Sequence, residues 1–314
     1  MLRRTPTVYV SVDSFLSPRG KLLHRFDQFL AGLEAQRIPC VWMTGWTRAQ
    51  LDEPRRRARE NAPYIGENGC GVYLPEDYFH LKGSNTVRMG RYTCIPVAKP
   101  QPAAAGALDD LSAELEISVV PLRKLSQREL CQNTGLPGRE AELMRMRDFD
   151  ELFFFAGAST AEIVRFETEA RARGLRLESA GPFWSLSCGG DVAKCVRELG
   201  GLYDRALRSH ALRIAVRMTR GDGSQTAPGA PAQWPSSAFD RVLLLTDRAE
   251  HRSATVRSDE QSEARGDSRG DGAQDRPGAD FVRANEFHLA SPTVWDELLA
   301  SLQRSAEARK ASHR

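Results

Sequence analysis

Over the first eighty residues, apolar runs of strand length alternate with stretches of helical period. That alternation restricts the fold more than any other feature of the chain. Thr7 to Val12 is a short β-rich run. From Leu22 to Gln36, Leu22, Leu23, Phe26, Phe29, Leu30 and Leu33 recur at helical spacing. Ile38 to Met43 is a second apolar strand, and Thr44-Gly45 turns the chain into a polar helix from Arg48 to Glu60. Tyr64-Ile65 and Gly71-Val72-Tyr73-Leu74 flank Glu67-Asn68-Gly69, where Asn-Gly is a strong hairpin signal. A β-α-β-α-β beginning predicts a parallel sheet with right-handed crossovers, an α/β core.

The pattern changes at about residue 83. Arg91 to Val97 reads as a strand, Ala103 to Leu115 as a helix of small residues, Arg139 to Met146 as another helix, and Leu152 to Phe155 as a strand. Thr160 to Arg173 is amphipathic, capped by Ser159 and ended by Gly174. Leu175 to Glu178 and Phe183 to Ser187 are strands. These elements predict an α+β module, residues 83–186, inserted into a discontinuous core of residues 1–82 and 187–314. The core resumes with a helix from Val192 to Arg208 and a buried strand from Arg241 to Leu245 that ends at Thr246-Asp247. Residues 220–237 are rich in Gly, Pro, Ser and Ala and read as a loop. In 252–280, Val256 is the sole large aliphatic residue, too little apolar surface to offset ordering entropy, so disorder is expected there. Pro292 to Leu302 is a closing helix with Val294, Leu298, Leu299 and Leu302 on one face.

Charge narrows the partners. Forty-four Lys and Arg stand against 41 Asp and Glu, a net +3, and the arginines are spread beside acids, as in Arg55-Arg56-Arg57-Ala58-Arg59-Glu60. A nucleic-acid binder would gather them with aromatics on one surface, so no nucleic-acid partner is expected. No apolar run approaches the ~20 residues of a membrane-spanning helix, so no membrane partner is expected. Met1 to Pro6 leads into the first strand without a signal-peptide core, which points to the cytoplasm. The six cysteines form no C-x-x-C pair and are expected to be reduced.

Three stretches carry a family resemblance. Tyr64-Ile65-Gly66-Glu67-Asn68-Gly69 looks like an I-x-E-N-G turn. Thr134-Gly135-Leu136 through Glu140-Ala141-Glu142-Leu143 to Arg147-Asp148-Phe149-Asp150-Glu151 looks like T-G-L…E-A…R-x-Y-D-E. Gly174-Leu175 through Phe183-Trp184 to Gly189-Gly190-Asp191 looks like G-L…G-x-F…G-x-D-K-G-K-A. In this order they resemble the mannosyl-3-phosphoglycerate phosphatase family of the haloacid-dehalogenase (HAD) superfamily. The resemblance covers most of residues 7–208. It implies a HAD-like Rossmannoid parallel-sheet core with an inserted type IIB cap, and a site at the carboxyl ends of the strands.

The resemblance also implies roles. The family opens with D-x-D-G-T: the first Asp attacks phosphorus, and the second protonates the leaving oxygen and then activates water. In Val10-Ser11-Val12-Asp13-Ser14-Phe15 the best register puts Ser11 at the nucleophile and Asp13 at the acid/base position. Sliding Asp13 into the nucleophile position would put Phe15 at the acid/base position, which also fails. The hydroxyl of Ser11 is a poor nucleophile and brings no negative charge; its simpler role is to cap the turn. Thr44 lies where a hydroxyl binds the transferring phosphoryl group, with Gly45 giving backbone access; as an ordinary residue it caps a helix. Trp46 replaces a basic residue, and Pro182 an arginine of the cap.

Asp191-Val192-Ala193-Lys194 puts Val192 at the usual lysine position, with Lys194 two residues on, about 200° round a helix. Lys194 is either the displaced cation or a solvated charge. Asp247 stands for the Mg²⁺-binding acid of the fourth motif, where Glu250-His251 replaces Asn-Asp. Gly45, Glu67, Asn68, Arg147, Gly189 and Gly190 are candidate substrate contacts, Arg147 alternatively a helix-end cation. Asp13 and Asp247 are the candidate metal ligands. Mg²⁺ is thus expected to bind weakly.

The implied reaction is Mg²⁺-dependent hydrolysis of a glycosyl-phosphoglycerate. The altered first, third and fourth motifs favour a pseudophosphatase that binds a phosphorylated sugar acid; an active, divergent phosphatase is the alternative.

Overall fold

The computed structural model describes residues 5–79, 85–180, 182–219, 236–246 and 285–307. The segment 252–280, Asp247 and all but the last two residues of the 220–237 loop lie outside the described residues.

The larger sheet grows from strands whose residues alternate between two apolar cores. Its strands are β1 (Pro6–Ser11), β2 (Cys40–Met43), β3 (Tyr64–Gly66), β4 (Gly71–Pro75), β5 (Val87–Met89), β6 (Tyr92–Pro96), β11 (Leu212–Thr219), β12 (Arg241–Thr246) and β13 (Asn285–His288). They lie in the order β13-β12-β11-β1-β2-β3-β4-β6-β5, the first six parallel and the last three antiparallel. On β1, Val8 and Val10 face one core with Trp42 and Ile214, while Tyr9 faces the other with Val41 and Met43. Such two-sided burial is what a parallel sheet with helices on both faces requires. The first core is closed by α1 (Phe26–Ala35), α2 (Arg48–Arg57) and α8 (Val294–Glu307), the second by α7 (Val192–Leu207).

The helix read from Leu22 begins instead at Phe26. Leu16 and Leu22 form an antiparallel bridge, and His24 and Arg25 take positive φ, which no helix tolerates. The strand β11, which occupies the place next to β1, was not read from the sequence.

The inserted unit is a four-stranded antiparallel sheet, β7 (Val119–Pro121), β8 (Glu151–Phe155), β10 (Phe183–Ser187) and β9 (Arg176–Ala180), in that order. α3 (Gln101–Leu115) and α6 (Thr160–Ala172) bury Leu108, Leu111 and Phe166 against Phe153. α4 (Gln127–Thr134) and α5 (Gly138–Arg145) bring Leu130 and Ala141 to Leu122, Leu152 and Phe183. Ser126 and Ser159 start α4 and α6 with reciprocal capping boxes.

The first boundary of the insert needs correction. β5 and β6, read within residues 83–186, belong to the larger sheet, because β6 pairs with β4 from Gly71↔Pro96 to Pro75↔Tyr92 and buries Tyr92 and Cys94. The chain leaves the core at Val97–Pro100 and returns at Ser187–Asp191. There Val97 and Ala98 donate to the Cys70 carbonyl (2.9 Å each), Lys99 to Cys188 (2.9 Å) and Asp191 to Gly69 (3.0 Å). Gly69, at φ +89°, lies so close to Val192 that any side chain there would displace α7. Among the described residues no helix is long and apolar enough to cross a membrane.

Candidate functional site

The site is built from three strand ends. Ser11 ends β1 and is paired with Met43; Thr44 follows β2, and its N–H donates to Ile65 of β3 (3.1 Å). A short 3-10 turn, Val12–Phe15, then carries Asp13 across the sheet edge. The Asp13 carboxylate accepts the Thr44 hydroxyl on one oxygen and the Gly45 N–H (2.9 Å) on the other. Thr44 Oγ1 in turn accepts from the Trp46 N–H at 2.9 Å, so its proton points at Asp13. Burial pushes the Asp13 carboxyl up to about 6, against the opposing pull of the Gly45 N–H, the Thr44 hydroxyl and the Arg147 charge.

Ser11 is buried, and its side chain makes no capping hydrogen bond to the turn, so the capping role read for it is not seen. Asn68 takes positive φ in the turn after β3, as Asn does most readily of non-Gly residues, and its N–H donates to Thr44 O (3.0 Å). Its Oδ1 is buried without a hydrogen-bond partner, beside Gly45, where any side chain would come within 2.9 Å of it.

Glu67 and Arg147 join the insert to this edge. Glu67 is fully buried and accepts the N–H groups of Asp148 (2.8 Å), Phe149 (2.8 Å) and Asp150 (3.1 Å). Burial pushes its carboxyl up, helped by the neighbouring Asp150 carboxylate, while Arg147 and the Asp148 N–H pull it down. Arg147 grips Asp150 with two N–H groups, one at 2.7 Å, and donates to the Gly45 carbonyl at 2.9 Å. Asp150 also accepts the Ser185 hydroxyl of β10 (2.5 Å). The helix-end reading of Arg147 fails, since the residue lies beyond α5 and is buried in an ion pair. Arg48 and Tyr73 add contacts from the core to Asp148, at 3.1 and 2.9 Å. Asp148, Asp150 and Ser185 were given no role from sequence. The Arg-x-x-Asp spacing of Arg147 and Asp150, beside a β-run, was the available signal.

Lys194 makes no hydrogen bond or ion pair with Asp13. It stands exposed near the start of α7, with its N–H on Asp191 (3.0 Å), while Val192 at the usual lysine position is buried against Gly69. The cation acting on Asp13 is Arg147. Gly189 and Gly190 lie in the returning segment, where Gly190 O accepts from Arg176 (3.0 Å). The strand beside β1 is β11; β12, which leads toward Asp247, is one strand farther out. Two strand spacings, about 10 Å, therefore separate β12 from β1. Among the described residues no three acidic, His or Cys side chains form a metal-binding cluster. The carboxylate at this edge, Asp13, already holds Thr44 and Gly45, and Ser11 is neutral. Among the described residues a hard divalent cation, which takes carboxylate oxygens, would therefore find one carboxylate at this edge, already hydrogen-bonded, beside a neutral hydroxyl.

No protein-family model matches the chain. A glucosyl-3-phosphoglycerate/mannosyl-3-phosphoglycerate phosphatase of Methanococcoides burtonii is 26% identical over 224 residues, 68% of this chain and 79% of the relative. A mannosyl-3-phosphoglycerate phosphatase of Pyrococcus furiosus is 23% identical over 196 residues, 62% of this chain and 75% of the relative. A solved haloacid dehalogenase-like hydrolase from B. subtilis superposes with a TM-score of 0.51 at 13% identity, covering 77% of this chain and 89% of that one. The chain resembles the HAD superfamily. Its mixed α/β architecture, with a parallel-rich sheet, is HAD-like. Ser11 ends the first strand, Asp13 lies in the turn after it, and Thr44 follows the second strand.

Proposed function

We propose that this protein binds a phosphorylated sugar acid, of the mannosyl-3-phosphoglycerate type, at the edge formed by Asp13, Thr44, Gly45 and Asn68, and does not turn it over by the ordinary HAD route. The observation that carries this reading is the pairing of Asp13 with Thr44 and Gly45 beside a neutral Ser11. The phosphoryl-binding hydroxyl and N–H are kept, while the residue that would form the aspartyl-phosphate is a serine. The relatives supply the substrate class, because their names join glycosyl and phosphoglycerate.

In this reading Asp13 swings away, and the ligand phosphate takes the Thr44 hydroxyl and Gly45 N–H, both charge-assisted donors to an anion. Arg147 holds the Gly45 carbonyl and supplies positive potential. Asn68 offers its Oδ1 to a ligand hydroxyl. Glu67 and Asp150 brace the segment that carries Arg147, a supporting role in place of direct substrate contact. Mg²⁺, which the family reaction employs, would find the carbonyl of Asp13 and a neutral hydroxyl at Ser11, with Asp247, outside the described residues, as its carboxylate. It binds weakly, and no step is assigned to it. The protein works away from membranes and nucleic acid, in the cytoplasm.

One observation favours a second reading, an active divergent phosphatase. With its carboxyl near 6, Asp13 has the proton affinity a general acid needs close to neutral pH. A phosphatase screen decides between the two: purified protein with Mg²⁺ and mannosyl-3-phosphoglycerate, beside Ser11→Asp. Release of phosphate by the variant but not the parent supports the binding reading. Multiple turnover by the parent supports the second.

A further inference from the structure

The other end of α2 carries a feature that the site above does not use. Arg55 is 1% exposed, lies 4.8 Å from the Tyr64 ring centroid and 5.5 Å from that of Trp42, and gives one N–H to Ala62 O. Its Nε and Nη1 are buried with no hydrogen-bond partner, as is the Tyr64 hydroxyl. A buried guanidinium without a carboxylate on it is costly, and ring faces offset only part of that cost.

The cation–dipole account of helix ends explains Arg56 and Arg57, which are exposed, in the last turn of α2, and paired with Glu53. It does not explain Arg55, whose side chain turns inward. Arg55 forms part of the wall of an open cavity of about 300 Å³, together with Arg56, Arg59, Arg91, Tyr92, Glu60 and Glu76. Four arginines face two glutamates there; Glu76 is paired with Arg88, Arg56 with Glu53, and Arg91 gives one N–H to Asp52 at 3.1 Å. Glu60 has one oxygen on the Ala62 N–H (2.8 Å). The cavity is distinct from the edge at Asp13. Arg48, at the start of α2, reaches that edge through Asp148, and Arg55 lies seven residues on, roughly 10 Å along the helix axis.

We infer that this cavity is a second anion site, taking a phosphate or phosphate-like oxyanion against Arg55, Arg59 and Arg91. A tetrahedral oxyanion drawn against the Arg55 wall of the cavity would supply the acceptors that its guanidinium N–H groups lack. The planar guanidinium fork of Arg59 is suited to hold it bidentately at the mouth, with Arg91 adding the N–H groups it does not give to Asp52. The volume accommodates phosphate with part of an attached metabolite.

Inorganic phosphate at constant ionic strength, read by thermal shift and calorimetry, tests the inference. Phosphate should raise the melting temperature of the parent saturably. The same response should persist in Thr44→Val, which removes the donor at the Asp13 edge, and weaken at least tenfold in the surface double variant Arg59→Ser with Arg91→Ser. Arg55→Met should abolish it; should that variant fail to fold, the surface double variant decides. An equal response in parent and double variant, no saturable response in the parent, or loss in Thr44→Val with retention in the double variant would each overturn the second site.

Discussion

Arg147, from the inserted unit, donates to the Gly45 carbonyl at 2.9 Å, and the N–H of the same Gly45 donates to Asp13 at 2.9 Å. One peptide thus carries a contact from the insert on one side and the acid/base candidate on the other. The same guanidinium donates through Nε and Nη2 to Asp150, which Ser185 also holds. The position of the insert is therefore coupled to the Asp13 edge through charged, buried groups, where geometry is enforced most strictly.

Removing Arg147 should be costly to the fold. Arg147→Met leaves Asp150 and Glu67 buried without their cation, and breaking a buried pair on one side costs about 3–5 kcal/mol. Arg147→Lys keeps the charge but loses the fork, so it should fall between parent and Met variant. Urea denaturation measures both; a Met variant as stable as the parent would show that the network contributes nothing.

Glu67→Gln isolates the brace. Three N–H groups converge on the carboxylate, and an amide offers a single oxygen with an NH₂ that repels the donors. A loss of about 1–3 kcal/mol is expected. Hydrogen exchange should quicken at Asp148, Phe149 and Asp150 before the rest of β8. Unchanged protection at those amides would remove the bracing role.

The pH dependence follows from Asp13. Its folded-state value, about 6, exceeds the ordinary value of about 3.9, so between those limits the folded protein binds the extra proton. Stability from this group is therefore present below pH 4 and lost as pH rises to 6, by at most about 3 kcal/mol. Asp13→Asn should remove that fall, leaving the variant more stable than the parent at pH 7 and not at pH 4. Parallel pH profiles would contradict it.

Lys194→Ala should leave ligand affinity within about twofold, because the side chain is exposed at the far side of the helix turn from Val192. A tenfold loss would place the lysine in the site after all.

Much of the fold was legible because burial leaves a period. Val8 and Val10 against Tyr9, and Trp42 against Met43, alternate as a two-faced parallel sheet must, and Ser159 announces α6 by its capping box, whereas α4, started by Ser126, was not read. The antiparallel extension at β6 was misplaced because Tyr92 and Cys94 pair with β4 through backbone bonds that no side-chain pattern records. β11 was missed because Arg213 and Arg217 interrupt its apolar run. At the site, the register of Ser11, Asp13 and Thr44 came from motif order. The partnership of Arg147 with Gly45 spans 102 positions and depends on the insert folding back, which local sequence does not encode. Glu67 looked like a ligand contact because it stands in a turn beside Asn68; its three donors come from the far end of α5's connection to β8.

The central claim is that this edge binds a phosphorylated sugar acid without a resident metal and without turnover. Calorimetric titration of mannosyl-3-phosphoglycerate into the parent protein, once in Mg²⁺ and once in chelator, tests it most directly. The account predicts saturable binding of equal affinity in both, with the heat returning to baseline after each injection. Binding that requires Mg²⁺, accompanied by sustained heat of hydrolysis, would contradict it.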